Sequence, residues 1–346
     1  MSKTPASPTS SRQRSLLAAA LSLLAVLGSG APSAMAEPAL RVIGRDIAFP
    51  NRIGGLPAKL SDFNGLQINS FTTNDNVRLT YWEAGEGQPL IFVPGWSANG
   101  AEYINVMYLL SKRYRVIVLD PRNQGLSQKV AYGTRIERFS MDLRLLVDHL
   151  GVAETNLCGW SMGASVIWGY IDLFGTKGIR KACFVDEPIS IVSHPDWSER
   201  ERSEAGAMVS SPDQVLAALS APLPAPPQPS DTNLIARSML RDSPSFDNSE
   251  TFAKAVVQDD PAFQALVMWD HASNDWRDVL RHKIDIPTAI FTGEFSANVP
   301  SQRWAHSIIP KSRLYVYSKA EQGDHFLMFK NPVKFSDDLI EFLNAL

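Results

Sequence analysis

The chain has 346 residues, 45% hydrophobic and 20% charged, with 33 basic and 36 acidic side chains. That length accommodates one large α/β domain with an inserted subdomain, or two small domains. A formal net charge of −3 without a basic stripe argues against nucleic acid, which needs a basic excess, and points to a small-molecule partner.

Residues 1–36 have the layout of a secretory signal peptide. Lys3, Arg12 and Arg14 precede an apolar stretch from Leu16 to Leu27, and Ala34-Met35-Ala36 supplies a small-x-small cleavage site. The apolar stretch falls short of the ~20 residues that cross a bilayer. The expected mature chain therefore starts near Glu37, is exported to the periplasm or beyond, and has no stable membrane insertion.

After a Gly/Pro-rich start from Glu37 to Gly65, short apolar runs alternate with helical patterns. Val77–Glu83 alternates like a half-exposed strand. Leu90–Val93, Val116–Leu119, Thr155–Cys158, Lys181–Val185, Thr288–Thr292 and Arg313–Tyr317 read as buried parallel strands. Ile136–Leu150, Met162–Phe174, Ser301–Ile309 and Pro332–Leu346 carry helix periodicity between them. The predicted fold is α/β, a mostly parallel central sheet with helices on both faces. The core takes residues 37–188 and 283–346.

Alternation breaks between Pro188 and Asp285, far more chain than a crossover needs. Residues 189–282 are predicted to form a helical cap from Glu199–Val209, Asp213–Leu219, Leu234–Leu240, Phe252–Val257 and Pro261–His271. A proline-rich linker, Ala221–Pro229, stiffens its middle. Cys158 and Cys183 lie inside neighbouring strand-like runs, poor geometry for a disulfide, and are expected as buried free thiols. No C-x-x-C, H-x-H or H-E-x-x-H occurs, so neither metal nor cofactor is expected.

Gly159-Trp160-Ser161-Met162-Gly163 matches G-x-S-x-G between a strand-like run and a helical pattern, the setting of a nucleophile elbow. A serine hydroxyl needs a base to act as a nucleophile. Of the six histidines, only His325, in Gly323-Asp324-His325-Phe326, is placed in a loop just after a strand. His149, His194, His271, His282 and His306 fall in helix or cap segments and read as surface or packing residues.

Phe92-Val93-Pro94-Gly95-Trp96 and Asp120-Pro121-Arg122-Asn123-Gln124-Gly125-Leu126-Ser127 each follow a strand. With the elbow and the terminal Gly-Asp-His, these motifs resemble the α/β-hydrolase superfamily over essentially the whole mature chain. The resemblance implies an oxyanion hole made by the backbone N–H groups of Trp96 and Met162. Asp120 and Arg122 are expected to be structural. The chain departs from the family at the acid: Gly293-Glu294-Phe295-Ser296 places Ser296 where a carboxylate usually stands. Some family members carry the acid after the strand that follows the nucleophile helix, which makes Asp186 the leading candidate, ahead of Glu187 and Glu294. Ser296→Ala is accordingly expected to do little.

A serine at the elbow excludes family chemistries that need an aspartate there, such as dehalogenation and epoxide opening. The expected activity is hydrolysis of a carboxylic ester or lactone of a hydrophobic small molecule through an acyl-enzyme. Trp96, Trp160 and Phe295, with Trp197, Phe263 and Trp269 of the cap, are candidates for an apolar or aromatic pocket. The resemblance leaves open a cofactor-free dioxygenase of N-heteroaromatic compounds, a C–C bond hydrolase, an acyltransferase, or a non-catalytic binding protein.

Overall fold

A computed structural model describes residues 37–49, 53–205 and 265–345, with the isolated positions 213 and 263. The expected leader 1–36, the proline-rich linker and the predicted helices at 213–219, 234–240 and 252–257 lie outside the described residues, position 213 apart. The described strands are β1 (Glu37–Pro38), β2 (Gln67–Thr72), β3 (Arg78–Ala84), β4 (Pro89–Val93), β5 (Arg115–Asp120), β6 (Thr155–Trp160), β7 (Ile179–Val185), β8 (Thr288–Gly293) and β9 (Ser312–Tyr317). They form one sheet in the order β1-β2-β3-β5-β4-β6-β7-β8-β9. Pairing is antiparallel from β1 through β3 to β5, and parallel from β5 through β4 to β9. Every residue of β6 and β8 is buried, as strands covered on both faces must be.

The described α-helices are α1 (Ala39–Ile43), α2 (Ile104–Leu110), α3 (Ile136–Leu150), α4 (Met162–Phe174), α5 (Glu199–Glu204), α6 (Leu266–Ser273), α7 (Arg277–His282), α8 (Val299–Ile308), α9 (Leu327–Lys330) and α10 (Pro332–Asn344). The pleat sends alternate strand residues to opposite faces. Phe92, Cys158 and Phe291 join a core with Met107 of α2, Phe329 of α9 and Phe335 of α10. Ile91, Leu157 and Ile290 join the other, with Leu143 of α3, Ile167 of α4, Val279 of α7 and Trp304 of α8. Helix α3 buries Ile136, Phe139, Leu143 and Leu146, the spacing that puts one apolar stripe on the sheet.

The sequence pattern missed the short helices α1, α7 and α9, and also β1, β2 and α2. In β2 the buried residues Ile68 and Phe71 stand three apart, so no alternation marks the strand. Strand β1 has two residues, and α2 has seven and enters from a 3₁₀ turn. Cys158 and Cys183 face each other in register across β6 and β7 and are free and buried. Burial holds the Cys158 thiol well above its ordinary value.

Two buried charges fix the loops at the sheet's C-terminal edge. Asp120 accepts from the Gly100 amide at 2.7 Å, the Leu126 amide at 2.8 Å and the Trp82 indole at 3.2 Å. Burial raises its carboxyl to about 6 against those bonds. Arg122, with no exposed side-chain surface, donates through Nε to Asp142 at 2.6 Å and reaches Asp75 at 3.1 Å. Both residues are therefore structural. Arg122→Met strands Asp142 beside Arg138 alone, and breaking a buried pair from one side should cost about 3 kcal/mol. Denaturant unfolding measures it; a loss below ~1 kcal/mol, the value of an exposed pair, contradicts the anchoring role.

Candidate active site

The elbow is set by close approach. A Cβ on Gly163 would meet the Val93 carbonyl oxygen at 1.9 Å, and one on Gly159 would meet the Ala164 amide nitrogen at 2.5 Å. The turn between them holds Ser161 at φ 53° and ψ −135°, a region that costs a non-glycine residue about 1–3 kcal/mol. The strain is held by the Ser161 amide donating to Val185 O at 2.9 Å and the Ala164 amide donating to Ser161 O at 2.7 Å.

Register decides what stands beside the serine. Trp160 pairs with Val185 across β6 and β7, so the next residues, Ser161 and Asp186, leave the sheet side by side. Asp186 also has φ 53°, and its amide continues the ladder to Phe291 O at 2.8 Å. Its side chain is fully buried. Oδ1 accepts from the Thr292 hydroxyl. Oδ2 accepts from the Ser296 hydroxyl at 2.6 Å, Asn298 Nδ2 at 3.2 Å and His325 Nδ1 at 2.6 Å. With Nδ1 carrying the proton, His325 Nε2 presents its lone pair to the Ser161 hydroxyl, which lies 3.2 Å away.

The structure thus brings Ser161, His325 and Asp186 into one hydrogen-bonded chain, and neither alternative acid into it. Glu294 accepts from the Lys319 amide at 3.3 Å. Glu187 accepts from the Ser165 hydroxyl at 2.7 Å and lies 3.3 Å from His271 Nε2. Ser296 is more than a missing carboxylate: its hydroxyl holds the same Asp186 oxygen that faces His325, so the expectation that Ser296→Ala does little is revised.

A cavity of about 400 Å³ opens onto Ser161 and His325. Trp96, Phe295, Ile191 and Met268 give it apolar walls, and Glu187 and His271 line it as well. Trp160 does not line it. Fully buried at the end of β6, it donates through its indole N–H to the His325 carbonyl at 2.8 Å and packs edge-on against Phe329. The pleat turns it behind the His325 loop, which it buttresses. Trp197 is buried too, bonded to Asp275 and under the Arg277 guanidinium. Trp269 is exposed, and Ile191, Met268 and His271 contribute the lining in this stretch. Gln124 supports the loop bearing Trp96: its Nε2 donates to the Gly95 and Ala98 carbonyls at 3.0 and 2.7 Å, and its Oε1 accepts from the Ser97 amide at 2.9 Å. Met162 opens α4, where first-turn amides have no acceptor inside the helix.

Residues 88–332 match the family model of the alpha/beta hydrolase fold. A non-heme chloroperoxidase of Kitasatospora aureofaciens is 27% identical over 79% of this chain and 98% of its own. The pimeloyl-(acyl-carrier protein) methyl ester esterase of Vibrio cholerae serotype O1 is 25% identical over 76% and 97%. Among solved structures, an esterase from Exiguobacterium antarcticum superposes with a TM-score of 0.65 at 18% identity, covering 80% of this chain and 99% of that one.

Burial pushes the Glu187 carboxyl up to about 8 and the His271 imidazole down to about 4, so at neutral pH both are uncharged. An acid whose folded value is raised binds its proton more tightly when folded, so its contribution to stability falls as pH rises from about 4.5 to about 8. Glu187→Gln removes that term. Its stability relative to the parent should rise by a few kcal/mol across this window, at about 1.4 kcal/mol per unit. Denaturation at several pH values reads the difference, and a flat one contradicts the assignment.

Proposed function

The chain belongs to the α/β-hydrolase family, and from that premise we propose that it is an exported serine hydrolase cleaving a carboxylic ester or lactone of a hydrophobic small molecule. The observation that carries this reading is the unbroken chain from Asp186 through His325 to Ser161, opening on an apolar cavity. The Ser161 oxygen attacks the ester carbonyl carbon while His325 Nε2 takes its proton. The carbonyl oxygen becomes an oxyanion facing the amides of Trp96 and Met162, donors each worth about 3–4 kcal/mol. The tetrahedral intermediate collapses, the C–O bond to the alcohol breaks, and His325 returns the proton to the leaving oxygen. Water then attacks the acyl-Ser161 carbonyl, gives its proton to His325, and releases the acid and the free serine. Asp186 fixes the tautomer and balances the imidazolium as it forms. Residues 189–282 are the proposed cap, and of their described members Ile191, Met268 and His271 line the cavity. Export rests on the layout of residues 1–36, and a mature N-terminus near Glu37 is its check.

The name of the chloroperoxidase relative favours one further nucleophile. Hydrogen peroxide in place of water would release the acyl group as a peracid, which would oxidise bromide to hypobromous acid and return to the carboxylate.

On p-nitrophenyl butanoate, Ser161→Ala should abolish turnover, and Asp186→Asn should lower kcat by up to about 10⁴ while the fold persists. Ser296→Ala removes one donor from Asp186 Oδ2 and should lower kcat by roughly tenfold. Near-normal activity in Ser161→Ala or Asp186→Asn would overturn the mechanism.

A further inference from the structure

The cavity holds more polar groups than ester cleavage uses. His325, Ser296 and Asn298 are committed to Asp186, and Asp324 is paired with Lys330. Glu187 and His271 remain, both almost fully buried and both on the cavity wall. Their 3.3 Å contact and the Ser165 bond both use Glu187 Oε1. Among the described residues, Oε2 has no bond. His271 Nδ1 is buried without a partner. An orphaned lone pair is commoner than an orphaned N–H, so the imidazole carries its proton on Nε2, which stands 3.3 Å from Oε1. Because Oε1 accepts from the Ser165 hydroxyl, the carboxyl proton rests on Oε2, which makes it a donor.

From this geometry we infer that Glu187 and His271 form a polar subsite that binds a hydrogen-bond-accepting oxygen of the substrate, an ether or carbonyl oxygen a few atoms from the reacting carbonyl. The span follows from α4: Ser165, which holds Glu187, lies one helical turn, about 5.4 Å, beyond Ser161. The Ser165 hydroxyl holds the carboxyl in place, and Trp96, Phe295, Ile191 and Met268 give the cavity around it apolar walls. An unmet donor in such a site penalises a substrate that lacks the acceptor. The inference refines the ester-hydrolase reading above, so its test measures binding rather than turnover.

Benzyl 4-methoxybutanoate and benzyl hexanoate differ by one ether oxygen in place of a methylene. Their affinities for full-length Ser161→Ala, which holds the cavity without the chemistry, are measured by calorimetry. The ether should bind roughly tenfold more tightly, and the preference should vanish on adding Glu187→Leu and persist on adding Glu187→Gln, whose amide still donates. A second arm leaves Glu187 in place. Between about pH 6 and about pH 9 the carboxyl ionises and loses its donor, so the ether preference should collapse. Asp186 beside it, His271 from α6, and Asp324 and His325 from the last loop act on both esters alike and cancel in the ratio. Equal affinities, binding of neither ester, or a preference that survives both Glu187→Leu and high pH overturns the subsite. Turnover of the same esters by the Ser161 chain reads the hydrolase proposal separately.

Discussion

A carboxylate shut away from water must be met by donors on every side, and Asp186 organises the C-terminal edge of the sheet around that demand. Thr292 comes from the end of β8, Ser296 and Asn298 from the loop that follows, and His325 from the loop after β9. Two segments distant in sequence, residues 292–298 and the loop bearing His325, are thereby tied to the residue next to Ser161. The donors that satisfy the acid also fix the position and tautomer of the imidazole.

The serine is fixed by different means. Its backbone is held in a sparsely populated conformation by the ladder on one side and the first turn of α4 on the other. The facing loop is held by Gln124, and Asp120 anchors Gly100 beyond it. Strain at the serine, a buried acid and an uncharged Glu187–His271 pair all cost stability. The two cores on either face of the sheet offset them. The same burial that makes these groups expensive keeps water from competing for their hydrogen bonds.

Much of this was legible in the sequence, because its signals are steric. Only glycine fits at positions 159 and 163, so the elbow leaves a motif, and a buried parallel strand leaves an apolar run. Asp186 was legible by a vacancy: Ser296 stands where a carboxylate was expected, and an acid ends the strand beside the elbow. The role of Ser296 was not, because a hydroxyl in a loop says nothing of the carboxylate it meets at the end of the neighbouring strand. Trp160 misled for a related reason. An aromatic beside the serine reads as pocket lining, but the pleat turns it inward beneath the His325 loop. Glu187 and His271 are far apart along the chain, and their contact depends on how α6 packs. No local pattern announces that pair.

The mechanism requires the Ser161 oxygen to take the acyl group. Rapid acid quench of the enzyme with p-nitrophenyl butanoate, followed by peptide mass mapping, tests this directly. One butanoyl group is expected on the peptide carrying Ser161, accumulating in the burst phase and decaying with turnover. Turnover without that adduct, or with the acyl group on another residue, would contradict the mechanism.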